Sequence, residues 1–501
     1  MKQIFLVLSL IGSTAICSQN YFFGDFQSRY QLEKNKYLSK NQHTLSKPYL
    51  INYKLDSLRQ KGIWNYSSSL NKSNIKILPI GGFSLNYDLE KQLTSKSFNL
   101  GFQFNSKYKN CFYTQFRTGI NRSELNYYEA LSTYKRPFFP TLGYLTDTLK
   151  KLYSRPFFEG QISYEINKYF VLSSGIGKNF FGDGYRSLWL SDYAPTYPFL
   201  KLESTFWKAK YINLWSLHDD LHTNLFSRHK WSSSHMLSLN VTNWLNLSLF
   251  ESVVWQNKDT LNGRGFDINY INPFVFYRPI EYGIGSSDNS FLGAGIKTTF
   301  LNHYIIYSNI IFDEFLLSQF KNNNGWWGNK YGFQAGFKAF DIFDVEGLYA
   351  ILEWNWVRPY TFSHMTSMQN YGHQNHSLAH PLESNFFEAL AILTFQRGNY
   401  DFYLSYHFQK FGKDYNTENY GGNMFNSYNN RYSNNNEYGH FVGQGVSTEQ
   451  QIISSRISYM LFPITNTKLF AQINLRYTED VTSTLFNFGI SSSLWQPYLD
   501  Y

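Results

Sequence analysis

Cysteine is nearly absent, with 2 in 501 residues, Cys17 and Cys111. A small disulfide scaffold or a Cys-rich zinc protein needs several, so both classes fall away. Charge is sparse too, at 16% of residues, whereas a disordered chain carries more charge and far fewer aromatics. After the N-terminus there is no run of roughly 20 apolar residues, which excludes a bundle of membrane helices. Aromatic side chains are abundant: 46 Phe, 41 Tyr and 12 Trp make up 20% of a chain whose mean hydropathy is −0.40. A transmembrane β-barrel combines these properties, because lipid-facing and lumen-facing residues alternate and aromatic girdles mark both interfaces.

The first 18 residues read as a secretory signal peptide: Met1-Lys2, an apolar run from Ile4 to Ile11, then Ser13, Thr14 and Ala15. If Cys17 leaves with it, Cys111 has no partner within the chain. Residues 19–75 form a basic lead segment, read as periplasmic, with nine Lys or Arg against three acids. This segment carries one predicted helix, since Ile51, Leu55 and Leu58 fall at i, i+4 and i+7 and Gly62 follows as a stop. Export leaves no opportunity for nucleic acid, so the basic excess points to anionic lipid headgroups, an acidic glycan or plain solvation.

From about residue 76 to the end the hydrophobic period is two. Phe98, Leu100, Phe102 and Phe104 alternate with Asn99, Gly101, Gln103 and Asn105, and Phe402 to Gln409 and Leu469 to Tyr477 repeat the pattern. Short turns at 167–169, 242–244, 301–303, 397–400 and 463–467 alternate with excursions at 121–157, 179–197, 218–233, 255–288, 314–328, 359–384 and 411–449. The fold class is therefore all-β: a transmembrane antiparallel barrel of about 18 strands behind a short helical periplasmic segment. Starting the first strand at the periplasmic side puts the short turns there and every excursion outside. A short helix is expected where Leu145, Leu149 and Leu152 share a face. The Asn-, Tyr- and Gly-rich 411–449 excursion is expected to be the most mobile part.

Four stretches are too idiosyncratic for a generic barrel wall: Phe180 to Pro195, Arg264 to Glu281, Gly325 to Tyr331, and Val357 to Pro381. In these stretches the chain resembles the capsule-assembly outer-membrane barrels of the Wzi family, and within it the Bacteroidetes branch with gliding-motility proteins of the RemB type. The resemblance is strong over roughly residues 160 to 410. The long 411–449 insertion departs from the family's layout. The resemblance implies an outer-membrane barrel that is not an enzyme and that binds, assembles or retains capsular or other surface polysaccharide, or supports gliding motility. Outer-membrane lipid and periplasmic or motility-complex proteins are the further partners it implies. A porin-like channel and a structural anchor of a surface adhesion complex are the alternatives.

Tyr and Trp offer sugar rings an apolar face with a hydrogen-bonding edge, and Arg pairs bidentately with uronate or phosphate. On that chemistry the glycan-binding candidates are Arg186, Trp189, Asp192, Arg264, Asp267, Arg278, Glu281, Trp326, Trp327, Arg358, Tyr360, His364, Tyr371, His373, His376 and His380. The competing reading is an internal lattice, with the arginines held by Asp192, Asp267 and Glu281. His373, His376 and His380 have spacings that a metal could use on a helix, but Gly372, Asn375 and Pro381 argue against a helix there. No nucleophile elbow or zincin motif occurs, so no catalytic residue, metal or cofactor is assigned.

Overall fold

The computed structural model describes residues 73–109, 111–125, 152–221, 228–258, 264–272, 288–463, 465–479 and 481–492. It also describes short pieces at 19–21, 33–34, 43–48, 50–52, 64–68, 138–139, 143–144 and 147–149. Eighteen strands form the wall: β1 (Ser73–Asp88), β2 (Leu93–Tyr108), β3 (Phe112–Glu124), β4 (Leu152–Glu165), β5 (Phe170–Gly177), β6 (Tyr197–Phe206), β7 (Ala209–Asp219), β8 (His229–Asn240) and β9 (Leu245–Gln256). They continue as β10 (Asn289–Phe300), β11 (Tyr304–Glu314), β12 (Lys330–Phe340), β13 (Leu348–Val357), β14 (Phe386–Arg397), β15 (Tyr400–Lys413), β16 (Val446–Phe462), β17 (Thr467–Thr478) and β18 (Thr482–Ser492). Each pairs antiparallel with the next, and β18 closes on β1 from Leu485↔Asp88 to Ser491↔Gly82. Closure satisfies every edge, as a wall in lipid requires.

The period of two is what sets the register. On β9, Leu247 and Leu249 point out and are exposed, while Asn246, Ser248, Phe250 and Val254 point in and are buried. A slip of one residue would turn the polar set toward lipid. No helix among the described residues is long and apolar enough to cross a membrane.

Seven long connections share one end of the barrel, the loop end, and the short turns expected from the sequence share the other, the turn end. Two further tight turns, 89–92 and 479–481, lie at the loop end beside the β18–β1 closure, so not every short turn is on one side. Both sequence-predicted helices need correction. Leu50–Asn52 is a strand paired with Gln19–Tyr21, and the rest of that predicted helix lies outside the described residues. Asp147–Leu149 folds back on Leu152–Ser154 as a hairpin extending β4. An edge already present at β4 offers those amides a ladder, and pairing overrides the leucine spacing. Two short α-helices among the loop-end connections, α1 (Leu317–Asn322) and α2 (Tyr432–Asn435), were not foreseen.

An apolar core lies within the lumen. Phe199, Ile212, Met236, Phe250, Phe291, Ile311 and Phe386 face inward and are buried against Leu188, Trp189 and Leu190 from the β5–β6 loop and Phe362, Tyr371 and Leu378 from the β13–β14 loop. Part of the lead segment also lies inside. Ser46–Lys47 pairs with Phe180–Phe181, Thr44 donates to Asp183 at 2.6 Å, and Glu33 meets Lys338 at 2.6 Å and Lys47 at 3.3 Å.

Candidate functional site

The β5–β6 loop enters the lumen because its apolar run, Leu188-Trp189-Leu190, has a matching surface there. The Trp189 ring stacks on Phe250 at 5.4 Å, and its indole N–H donates to the Ile310 carbonyl at 3.1 Å. Arg186 follows it into a dry environment, where a charge must be paired. Two of its partners are strand residues that the sequence did not single out. The guanidinium meets Glu388 of β14 at 3.2 Å, and the Arg186 and Tyr185 backbone N–H groups donate to Glu353 of β13 at 3.1 and 2.8 Å. Tyr307 donates to Glu353 at 2.6 Å, Asn355 donates to both carboxylates, and Gln409 donates to Glu388 at 2.9 Å. Lone acids at inward positions of apolar strands were the available signal. Asp192 is half-buried, and its backbone carbonyl accepts from Lys178 at 3.1 Å.

The β13–β14 loop carries the histidines, and they diverge. His373 Nδ1 accepts from the Asp219 N–H at 3.0 Å, His376 Nδ1 lies 2.8 Å from the Gln374 carbonyl, and His380 Nε2 lies 2.6 Å from Glu388. Among the described residues no group of three His, Cys, Asp or Glu is placed to hold a metal ion. Burial pulls the His373 imidazole down to about 4, and burial next to Lys330 does the same for His364. Tyr371 packs on Phe291 at 4.7 Å, and Tyr360 donates to the Asn419 carbonyl at 3.0 Å. Arg186, Trp189, Tyr360, Tyr371, His373, His376 and His380 are all buried to 2% exposure or less, each committed to internal partners.

The stretch that begins at Arg264 goes outside the wall. Trp255 donates to the Gly265 carbonyl at 3.1 Å and Trp215 to the Tyr270 carbonyl at 2.9 Å, so residues 264–272 cover the outward face of β7–β9. Arg264 holds this flap shut with ion pairs of 2.7 Å to both Asp267 and Asp288. Burial works against ionised Asp267, yet Arg264 and the Asn269 N–H hold its carboxyl below the usual range. Arg278 and Glu281 lie outside the described residues.

What remains accessible is a platform at the loop end. Trp326 and Trp327 are half-buried, with ring centroids 6.0 Å apart, and Arg358 donates to the Trp326 carbonyl at 3.1 Å. The 411–449 excursion, expected to be mobile, supplies the other half. Arg431 lies over Trp327 at 3.9 Å, Tyr420 and Tyr432 stack at 4.5 Å, and Tyr428 packs on Trp327 at 4.9 Å. Arg431 also donates to the carbonyls of Tyr428 and Asn436, which fixes it over the ring. His364, 6% exposed, sits beneath Tyr428 at 5.6 Å. Sequence reasoning missed Arg431, Tyr420 and Tyr432. Their aromatic–Arg spacing was legible, but the asparagines around them read as spacer.

No protein-family profile matches the chain, and no curated protein matches it. Among solved structures it is similar to the Escherichia coli outer-membrane protein Wzi, described as a carbohydrate-binding β-barrel involved in group 1 capsule assembly. That match has 10% identity and a TM-score of 0.50, over 84% of this chain and 85% of that one. Pseudomonas aeruginosa OprD aligns at 9% identity and a TM-score of 0.41 over 86% and 96%, and OpdK from the same organism at 7% and 0.45 over 84% and 98%. The chain thus shares the barrel fold of Wzi.

Proposed function

We propose that this chain is a non-enzymatic outer-membrane barrel that captures capsular or other surface polysaccharide on its loop-end platform and helps assemble or retain it. The observation that carries the reading is the platform itself: Arg431 held over Trp327, with Trp326, Tyr420 and Tyr432 around it. Such a surface offers sugar rings stacking faces and offers acidic sugars a fixed guanidinium. Trp326, Trp327 and Arg358 belong to the platform with Arg431, and the buried set holds the loops that carry it. The likeness to Wzi is consistent with this reading.

The channel reading fits less well, since the apolar core and the Arg186–Glu388 lattice occupy the lumen. The export signal over residues 1–18, and a turn end facing the periplasm, belong to the same proposal. The test is a clean deletion, scored together for capsule retention and colony spreading, with the purified protein assayed against extracted surface polysaccharide. Loss of retention with measurable binding supports the reading. No binding, with both phenotypes unchanged, refutes it. Impaired spreading with intact retention would move the role to motility.

A further inference from the structure

At the turn end, consecutive turns raise large apolar side chains away from the barrel. Trp207 in the β6–β7 turn is 84% exposed, Leu301 in the β10–β11 turn 76%, and Phe343 in the β12–β13 turn 89%; Trp244 in the β8–β9 turn is also exposed. All of the first three have left-handed backbone, with φ of 50°, 51° and 56°. Glycine and asparagine adopt that conformation more readily than a bulky residue does. The β14–β15 turn shows the ordinary solution, Gly398-Asn399 with Gly398 at φ 59°. The tips are left largely exposed among the described residues, and the local backbone disfavours them.

We propose that these tips are seated in the interfacial zone of the lipid leaflet at the turn end, pinning the β6–β13 sector. Two observations select lipid as the occupant. The tips continue the outward apolar belt of the same strands, since Trp207 follows exposed Phe206 and Leu301 follows exposed Phe300. Lysines stand beside the aromatics, with Lys208 Nζ 5.3 Å from the Trp207 ring and Lys168 Nζ 4.8 Å from that of Tyr169. A ring at the acyl boundary with an ammonium reaching the phosphates is the usual interfacial pairing. The loop end of the same sector repeats the feature, because Ile268 and, on α1, Leu317 and Phe320 are exposed beside the wall. Tilting lowers one rim as it raises the other, so it cannot bury both ends of one sector. Interfacial anchoring at both leaflets can.

The inference rests on the barrel standing in a bilayer and is independent of glycan capture. It is tested on the full-length chain carrying Cys17→Ser and Cys111→Ser, with bimane on single cysteines introduced as Leu301→Cys, Phe343→Cys or, as a water-facing control, Asn399→Cys. The proteins are reconstituted in phosphatidylethanolamine–phosphatidylglycerol vesicles with iodide on both faces. An interfacial location gives a quenching constant about five-fold lower at 301 and 343 than at 399, and strong quenching there by headgroup spin-labelled lipid. Equal iodide quenching at all three positions, as an edge left open for a periplasmic protein would give, overturns the inference while leaving the barrel reading intact. Failure of the folded protein to float with the vesicles overturns both.

Discussion

Replacing Arg186 with Met isolates the lattice that holds the luminal loops. The Arg186 side chain is 1% exposed and that of Glu388 0%, so the pair stands in a medium that leaves a lone carboxylate poorly solvated. Removing one partner of such a pair costs about 3–5 kcal/mol. Glu388 would keep His380 at 2.6 Å and Gln409 at 2.9 Å, which puts the expected cost at the lower end, about 3 kcal/mol. That lowers the ratio of docked to released loop by about 150-fold. The companion change Glu388→Leu removes the stranded charge, and the double variant should recover most of the loss, because well-packed apolar substitutes for a buried pair are often neutral. Thermal unfolding in detergent gives the cycle, and planar-bilayer recording gives its consequence: a silent wild type, flickering openings in Arg186→Met, and near-silence in the double variant. An unchanged midpoint in the single variant, or additive losses in the double, would refute the argument that the pair holds the loop.

Trp327→Ala should weaken polysaccharide binding about ten-fold by removing both a stacking face and the support of Arg431; isothermal titration against extracted polysaccharide measures it, and unchanged affinity removes Trp327 from the platform. Acidification should release the β13–β14 loop. The His364 and His373 imidazoles sit at about 4 when folded against about 6.5 free, so the stabilisation is complete above pH 6.5 and is lost as pH falls toward 4. By pH 5 each has lost about 2 kcal/mol of its contribution, and proteolysis within residues 358–385 should accelerate from pH 7 to pH 5; a flat profile would sink the argument. Lys338→Met removes the closer of the two lysines paired with Glu33, the other being Lys47 at 3.3 Å, so limited proteolysis should cut the lead segment near residues 33–48 faster, with the wall strands still protected.

The wall was legible in the sequence, down to its strand number, because each strand contacts two different media and so writes a period of two. The connection lengths carried the topology for a similar reason: tight turns and long excursions differ in length wherever they fall. The four unusual stretches were set apart in the sequence, yet their roles were not legible. Arg186 looks the same in sequence whether it meets a uronate or Glu388, which is 202 positions away. Glu353 and Glu388 passed as ordinary lumen-facing polar residues. Phe250, Phe291 and Phe386 gave no sign that an apolar core awaited the loops.

By itself, then, the sequence determined an all-β barrel of about 18 strands, its register, and the segments that do more than build wall. Only the tertiary structure decided that two of those segments enter the lumen, that 264–272 lies on the outer wall, and that Arg431 from the Asn-rich excursion meets Trp327. The physical reason is range. Alternation and turn length are written between near neighbours along the chain, whereas burial and charge pairing depend on which distant strands the closed barrel brings face to face.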